Sequence, residues 1–123
     1  MDKKKILLVI DDEKPIADGI RMMLESSEYN CVVAYSGKDG LIKTREQTPD
    51  LVLLDINMPE ADGFQVLKTL KNDVTTARMP VIMVTSCDTP DDIETAYKLG
   101  AAEYVIKPIN FDDLRNKIAK VLG

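Results

Sequence analysis

Short unbroken apolar runs, each stopped by a polar or charged residue, constrain this chain more than any other feature of its sequence. The clearest is Leu51-Val52-Leu53-Leu54, preceded by Pro49-Asp50 and followed by Asp55 and a loop carrying Pro59, Asp62 and Gly63. Four consecutive apolar residues between turn signals are too few for a helix. They fit a strand buried on both faces, the usual condition in a parallel sheet. Asp55 then stands at the carboxyl end of a core strand, where open α/β sheets place their ligands and their chemistry.

The rest of the chain repeats the pattern. Ile6–Ile10 predicts a first strand, followed by the acidic loop Asp11-Asp12-Glu13. From about Pro15 to Ser27 a helix is expected, on which Ile16, Ile20, Met23 and Leu24 recur at helical spacing. Cys31–Tyr35 predicts a second strand, Ser36-Gly37 a turn or cap, and Lys38–Gln47 a weaker helix closed by Pro49. A third helix follows Asp62-Gly63 with Val66, Leu67 and Leu70 inward, and the polar segment Lys71–Arg78 reads as a loop. Val81–Val84 is a fourth strand ending at Thr85-Ser86. Thr89 caps a fourth helix, Pro90 sits in its first turn and Gly100 stops it. Tyr104–Ile106 is a fifth strand ending at Lys107-Pro108, and Asn110 caps a last helix with the stripe Phe111, Leu114, Ile118 and Val121. This alternation implies one α/β domain over residues 1–123: a five-stranded parallel sheet with five helices on both faces and right-handed crossovers.

Composition narrows the chemistry. A net charge of -5 argues against a nucleic-acid face, and Lys3-Lys4-Lys5 is a short solvated flank. Histidine is absent, which excludes Ser-His triads, histidine-ligated metals and a phosphohistidine on this chain. Cys31 and Cys87 form no C-x-x-C pair and read as free thiols of a reducing cytosol. No apolar run reaches the length of a membrane span. The expectation is a cytoplasmic protein with no direct nucleic-acid or membrane contact.

Four of the five strands end in residues able to do chemistry: Asp11-Asp12, Asp55, Thr85 and Lys107. In a parallel sheet these ends share one edge. Taken singly each has a plainer reading, an Asp as turn residue or helix cap, Thr85 as a strand-end hydroxyl, Lys107 as a solvated cation. Four complementary side chains at equivalent strand ends make coincidence a poor account. Three carboxylates brought together repel, so something positive must hold them. A hard divalent cation, Mg2+ above all, takes oxygen ligands from one or two carboxylates, with a backbone carbonyl such as that of Asn57 as a further ligand. Lys107 could pair with Asp55 or with an oxyanion attached to it. Metal, ammonium and hydroxyl around one carboxylate suit phosphoryl transfer, with Asp55 as nucleophile and site of an aspartyl-phosphate.

Over essentially its whole length the sequence resembles the receiver domain of two-component response regulators. The resemblance rests on Asp11-Asp12, on Leu54-Asp55-Ile56-Asn57-Met58-Pro59 with Asp62-Gly63, on Thr85-Ser86 and on Lys107-Pro108. It implies the flavodoxin-like strand order 2-1-3-4-5. It implies that Asp55 accepts phosphate from a histidine kinase or histidine phosphotransfer protein, and that Asp12, Asp55 and the Asn57 carbonyl bind Mg2+ with Asp11 acting through water. Thr85 and Lys107 would contact the phosphoryl oxygens, and the Lys107-Pro108 bond would be cis. Tyr104 matches the family's switch aromatic: when Thr85 moves towards the phosphoryl group the ring turns inward, and the face of helix four, strand five and helix five reports the change to an output domain or protein. Cys87 and Asn57 occupy positions that in the family influence how long the phosphoryl group lasts. Ser86 stands where the family often has alanine.

Two other classes compete. A phosphorylation-independent interaction domain on the same fold would usually lack one of these residues, and none is missing. An aspartate-nucleophile phosphatase would want a D-x-D arrangement, which Asp11-Asp12-Glu13 does not supply. Nucleotide-binding enzymes fail earlier, since no glycine-rich phosphate loop follows any strand.

Overall fold

The computed structural model describes residues 3–123. Its elements alternate without exception: β1 (Lys5–Ile10), α1 (Lys14–Leu24), β2 (Tyr29–Ala34), α2 (Gly37–Gln47), β3 (Leu51–Leu54), α3 (Gly63–Asn72), β4 (Val81–Thr85), α4 (Pro90–Lys98), β5 (Glu103–Ile106) and α5 (Phe111–Leu122). All pairings are parallel and the sheet runs β2-β1-β3-β4-β5, the order and fold class expected.

The period of two along each strand sorts side chains into two cores. Leu7, Val9, Leu51, Leu53, Ile82, Val84 and Val105 face α1 and α5, meeting Ala17, Ile20, Leu24, Leu114 and Ile118. Leu8, Ile10, Val52, Leu54, Val81, Met83 and Tyr104 face the other helices, meeting Val66, Leu67, Leu70 and Ala96. All four residues of β3 are buried. Each such leucine contributes about 2 kcal/mol relative to an exposed one, so this two-sided strand, like the fully buried β4, anchors the sheet. Asp50 fixes its entry: its carboxylate accepts from Ile6 N at 2.7 Å while its own N–H donates to Ile6 O at 2.8 Å.

The caps follow sequence. Ser36, Thr89 and Asn110 accept from the N–H three residues on, at 3.0, 3.1 and 3.0 Å. Asp62 does the same for α3 at 3.0 Å. Gly100 ends α4 with φ 105°, a conformation costly for other residues.

Three boundaries differ from expectation by two residues or more. Helix α1 stops at Leu24, short of Ser27, because the next residues are committed elsewhere: Glu25 accepts from Cys31 N at 2.7 Å and the Ser26 hydroxyl from Glu28 N and Tyr29 N. That turn also starts β2 at Tyr29. Met23 is half-exposed rather than core. Helix α3 runs on through Lys71 and Asn72, so only the residues from Asp73 to Pro80 form the connection. Lys71 holds that connection, donating to Ala77 O at 3.1 Å and Met79 O at 2.9 Å, and burial lowers its pKa.

Candidate functional site

The sheet ladder extends one residue past the strands and so fixes the backbone under each chemical group. Asp11 N donates to Ala34 O at 3.1 Å, Asp55 N to Ile10 O at 3.0 Å and Lys107 N to Thr85 O at 2.9 Å. The register sets Ile10 beside Leu54 and Thr85 beside Ile106, which brings the following residues to one edge. These positions rest on rigid strands rather than on loops.

Carboxylate oxygens of Asp11, Asp12 and Asp55 lie within 4.8 Å of one another. Asp11 and Asp55 are buried, at 1% and 3% exposure. Lys107 Nζ stands 2.7 Å from Asp11 Oδ2 and 3.4 Å from Asp55 Oδ2, its side chain 11% exposed. Burial by itself would lower the lysine pKa, but the hydrogen bond it donates to Asp11 and the charges of Asp55 and Asp11 outweigh it, and the ammonium titrates above its usual value. At Asp11 the balance is opposite. Burial raises its pKa and outweighs the bonds from Lys107 and from Glu13 N at 2.9 Å, with Asp55 adding repulsion. The one ammonium therefore does not offset the burial of Asp11. Asp12 Oδ1 is buried without a hydrogen-bond partner, a costly condition that a cation would relieve. The donor set is all oxygen, the chemistry of a hard divalent ion, so the residues fit Mg2+.

The loop after β3 folds back tightly. Gly63 N donates to Ile56 O at 2.8 Å, and a Cβ on Gly63 would lie 2.1 Å from Asp55 O and 2.7 Å from Ile56 Cα. No side chain fits there. The loop carries Asn57, which is exposed and whose N–H points at Asp55 Oδ1 at 3.4 Å.

Thr85 is fully buried, and its hydroxyl accepts from Cys87 N at 3.3 Å rather than contacting Asp55 or Lys107. Tyr104 is 7% exposed, and its hydroxyl donates to Cys87 O at 2.7 Å. Burial, with nearby negative groups, pushes the phenol up to about 12, so it stays a neutral donor. The Cys87 backbone thus bridges Thr85 and Tyr104. Cys31 and Cys87 are free thiols, and burial pushes Cys31 up to about 12, the value of an inert packing residue.

The structure therefore brings Asp11, Asp12, Asp55 and Lys107 together directly. Thr85, Tyr104 and Cys87 form an adjoining group, and Asn57 sits on the covering loop. Sequence reasoning missed the tight packing at Gly63, which a lone glycine after Asp62 signals only as a turn. It also gave no role to Glu13, whose Oε1 lies 3.9 Å from Lys107 Nζ.

A doubly wound sheet in the order 2-1-3-4-5 with an acidic cluster and a lysine at its carboxyl edge defines a CheY-like signalling fold. The chain belongs to the response regulator receiver domain family, whose sequence model matches residues 7–119. It is 36% identical over 117 residues to the transcriptional regulatory protein ZraR of Salmonella typhimurium, an alignment covering 95% of this chain. The chain spans only 26% of the length of that relative. Among solved structures it is similar to a CheY-like receiver domain protein of Methanospirillum hungatei, with TM-score 0.90, 30% identity and coverage of 98% of this chain and 94% of that one. Chemotaxis protein CheY4 of Vibrio cholerae gives TM-score 0.90 over 97% of this chain and 99% of that one, and at 24% identity supports the fold. The chain is a receiver domain of two-component, phosphorelay signalling.

Proposed function

We propose that Asp55 is the phosphoacceptor, loaded by a histidine kinase or a histidine phosphotransfer protein in the cytoplasm, and that residues 1–123 act as one receiver unit. A carboxylate oxygen of Asp55 attacks the phosphorus, the bond to the donor imidazole breaks, and the imidazole leaves with that electron pair. Asp12, Asp55 and the Asn57 carbonyl would hold Mg2+, with Asp11 acting through water; the ion, when bound, supplies charge neutralisation for the phosphoryl oxygens. Lys107, already shared between Asp11 and Asp55, turns to a phosphoryl oxygen. Thr85 exchanges its Cys87 bond for another such oxygen. The observation that carries this reading is Lys107 Nζ lying between two buried carboxylates while Asp12 Oδ1 has no partner.

The chain is a switch rather than a turnover enzyme, although it assists its own phosphorylation from small donors and its own dephosphorylation. Asn57 and Cys87 tune the lifetime of the phosphoryl group. The buried Tyr104 ring is compatible with a Thr85 hydroxyl still on Cys87, so phosphorylation shifts the population of the inward state rather than creating room for it. The α4-β5-α5 face, where Tyr97 and Ile106 are exposed, presents the change to an output domain or protein.

Intact mass after incubation with acetyl phosphate and Mg2+ tests the proposal. A single phosphoryl adduct that needs Mg2+ and disappears in Asp55→Asn is expected. Absence of the adduct with both acetyl phosphate and a phosphorylated histidine kinase overturns it.

A further inference from the structure

The acidic loop after β1 carries a fourth carboxylate that the phosphoacceptor site does not use. Glu13 occupies the N-cap position of α1, yet its side chain makes no capping bond. Its backbone is tied to the site through the bond from its N–H to Asp11 Oδ1. Its carboxylate lies on the solvent side, 59% exposed, 3.9 Å from Lys107 Nζ. The lysine next to it offers no compensation, because Lys14 Nζ is turned over the Tyr35 ring, 5.2 Å from its centroid. The Glu13 charge therefore lies beside Lys107 and is far more exposed to solvent than the lysine itself.

We propose that Glu13 is a specificity-determining residue of this site, a rim charge that disfavours small dianionic phosphoryl donors relative to donors carrying their own positive charge. The proposal rests on Asp55 being the acceptor. With acetyl phosphate, the phosphoryl group moves to Asp55 as the bond between phosphorus and the acetyl oxygen breaks, and acetate leaves with the electron pair. With phosphoramidate, whose nitrogen is protonated, the phosphorus–nitrogen bond breaks and ammonia leaves. Both donors deliver the same group to the same atom. They differ in the charge that must pass the rim: a dianion in the first case, a zwitterionic monoanion in the second. A unit charge acting on a dianion across about 10–15 Å of water changes an encounter rate by about twofold to fivefold at low salt, and screening removes most of that.

The test compares wild type with Glu13→Gln, Glu13→Lys and Glu13→Asp. Each is loaded from acetyl phosphate and from phosphoramidate at a Mg2+ concentration saturating for that variant, the affinity being measured separately by calorimetry. Glu13→Gln is expected to speed loading from acetyl phosphate about twofold to fivefold, and Glu13→Lys further, with a clearly smaller gain for phosphoramidate. The gain should shrink as ionic strength rises, and Glu13→Asp should behave as wild type. Equal rates for Gln and wild type, equal gains with the two donors, or a gain indifferent to salt would each overturn the role of the charge. A wild type that takes a phosphoryl group from neither donor nor kinase overturns the reading of Asp55 itself, a result distinct from the other three.

Discussion

Replacing Gly63 by alanine places a methyl group where the structure has none to spare. The added Cβ would meet Asp55 O at 2.1 Å, Ile56 Cα at 2.7 Å and Asp55 C at 2.8 Å, all backbone atoms that cannot rotate aside. Relief requires the start of α3 or the 56–62 loop to withdraw by about 1 Å, at the cost of overpacking a buried position, typically about 1–3 kcal/mol. For a chain of 123 residues the unfolding entropy is about 0.26 kcal/mol/K, so Tm should fall by about 4–12 °C. The loop carries Asn57, so Mg2+ affinity should fall as well. Thermal unfolding by circular dichroism and Mg2+ titration by calorimetry read the two effects separately. Gly19→Ala is the control: nothing lies within 4 Å of its Cβ position on α1, and helix propensity predicts a gain of about 0.5–1 kcal/mol. A Gly63→Ala protein with wild-type Tm and wild-type Mg2+ affinity would refute the reasoning.

Two further expectations concern charge. Burial raises the pKa of Asp11 above its unfolded value of 3.8. Folding therefore favours the protonated form, and the stability held below that unfolded pKa is lost as pH rises through the folded one. Without Mg2+ at neutral pH, Asp11→Asn should consequently melt above wild type, with the gap closing as pH falls towards the unfolded value and reversing when Mg2+ is added. A lower Tm for the variant in metal-free neutral buffer, measured by differential scanning calorimetry, contradicts the sign. Lys71→Met removes the donor shared by Ala77 O and Met79 O and should cost about 1–2 kcal/mol in urea titrations. An unchanged midpoint would mean that the connection after α3 holds itself.

The sheet was legible because its strands are two-sided: runs such as Leu51–Leu54 and Val81–Val84 admit no other reading, and the residues after them had to share an edge. The convergence of Asp11, Asp12, Asp55 and Lys107 followed from that geometry. Helix ends were less legible, since Glu25 and Ser26 leave α1 through side-chain bonds to the β2 backbone that no local pattern encodes. The contact at Gly63 was hidden for a related reason. It depends on where a loop returns in space, and glycine is equally suited to an open turn. Glu13 looked like one more loop acid until its distance to Lys107 placed it at the rim.

Both bonds that join Thr85 to Tyr104 use the peptide groups of Cys87, its N–H to the threonine hydroxyl and its carbonyl to the phenol. The connection is therefore indifferent to the side chain at position 87. Nineteen of the twenty genetically encoded residues preserve it, and only proline, which has no N–H, severs one arm. A substitution at this position changes what packs against the edge of the core beside Tyr104, while the mechanical link runs through the backbone.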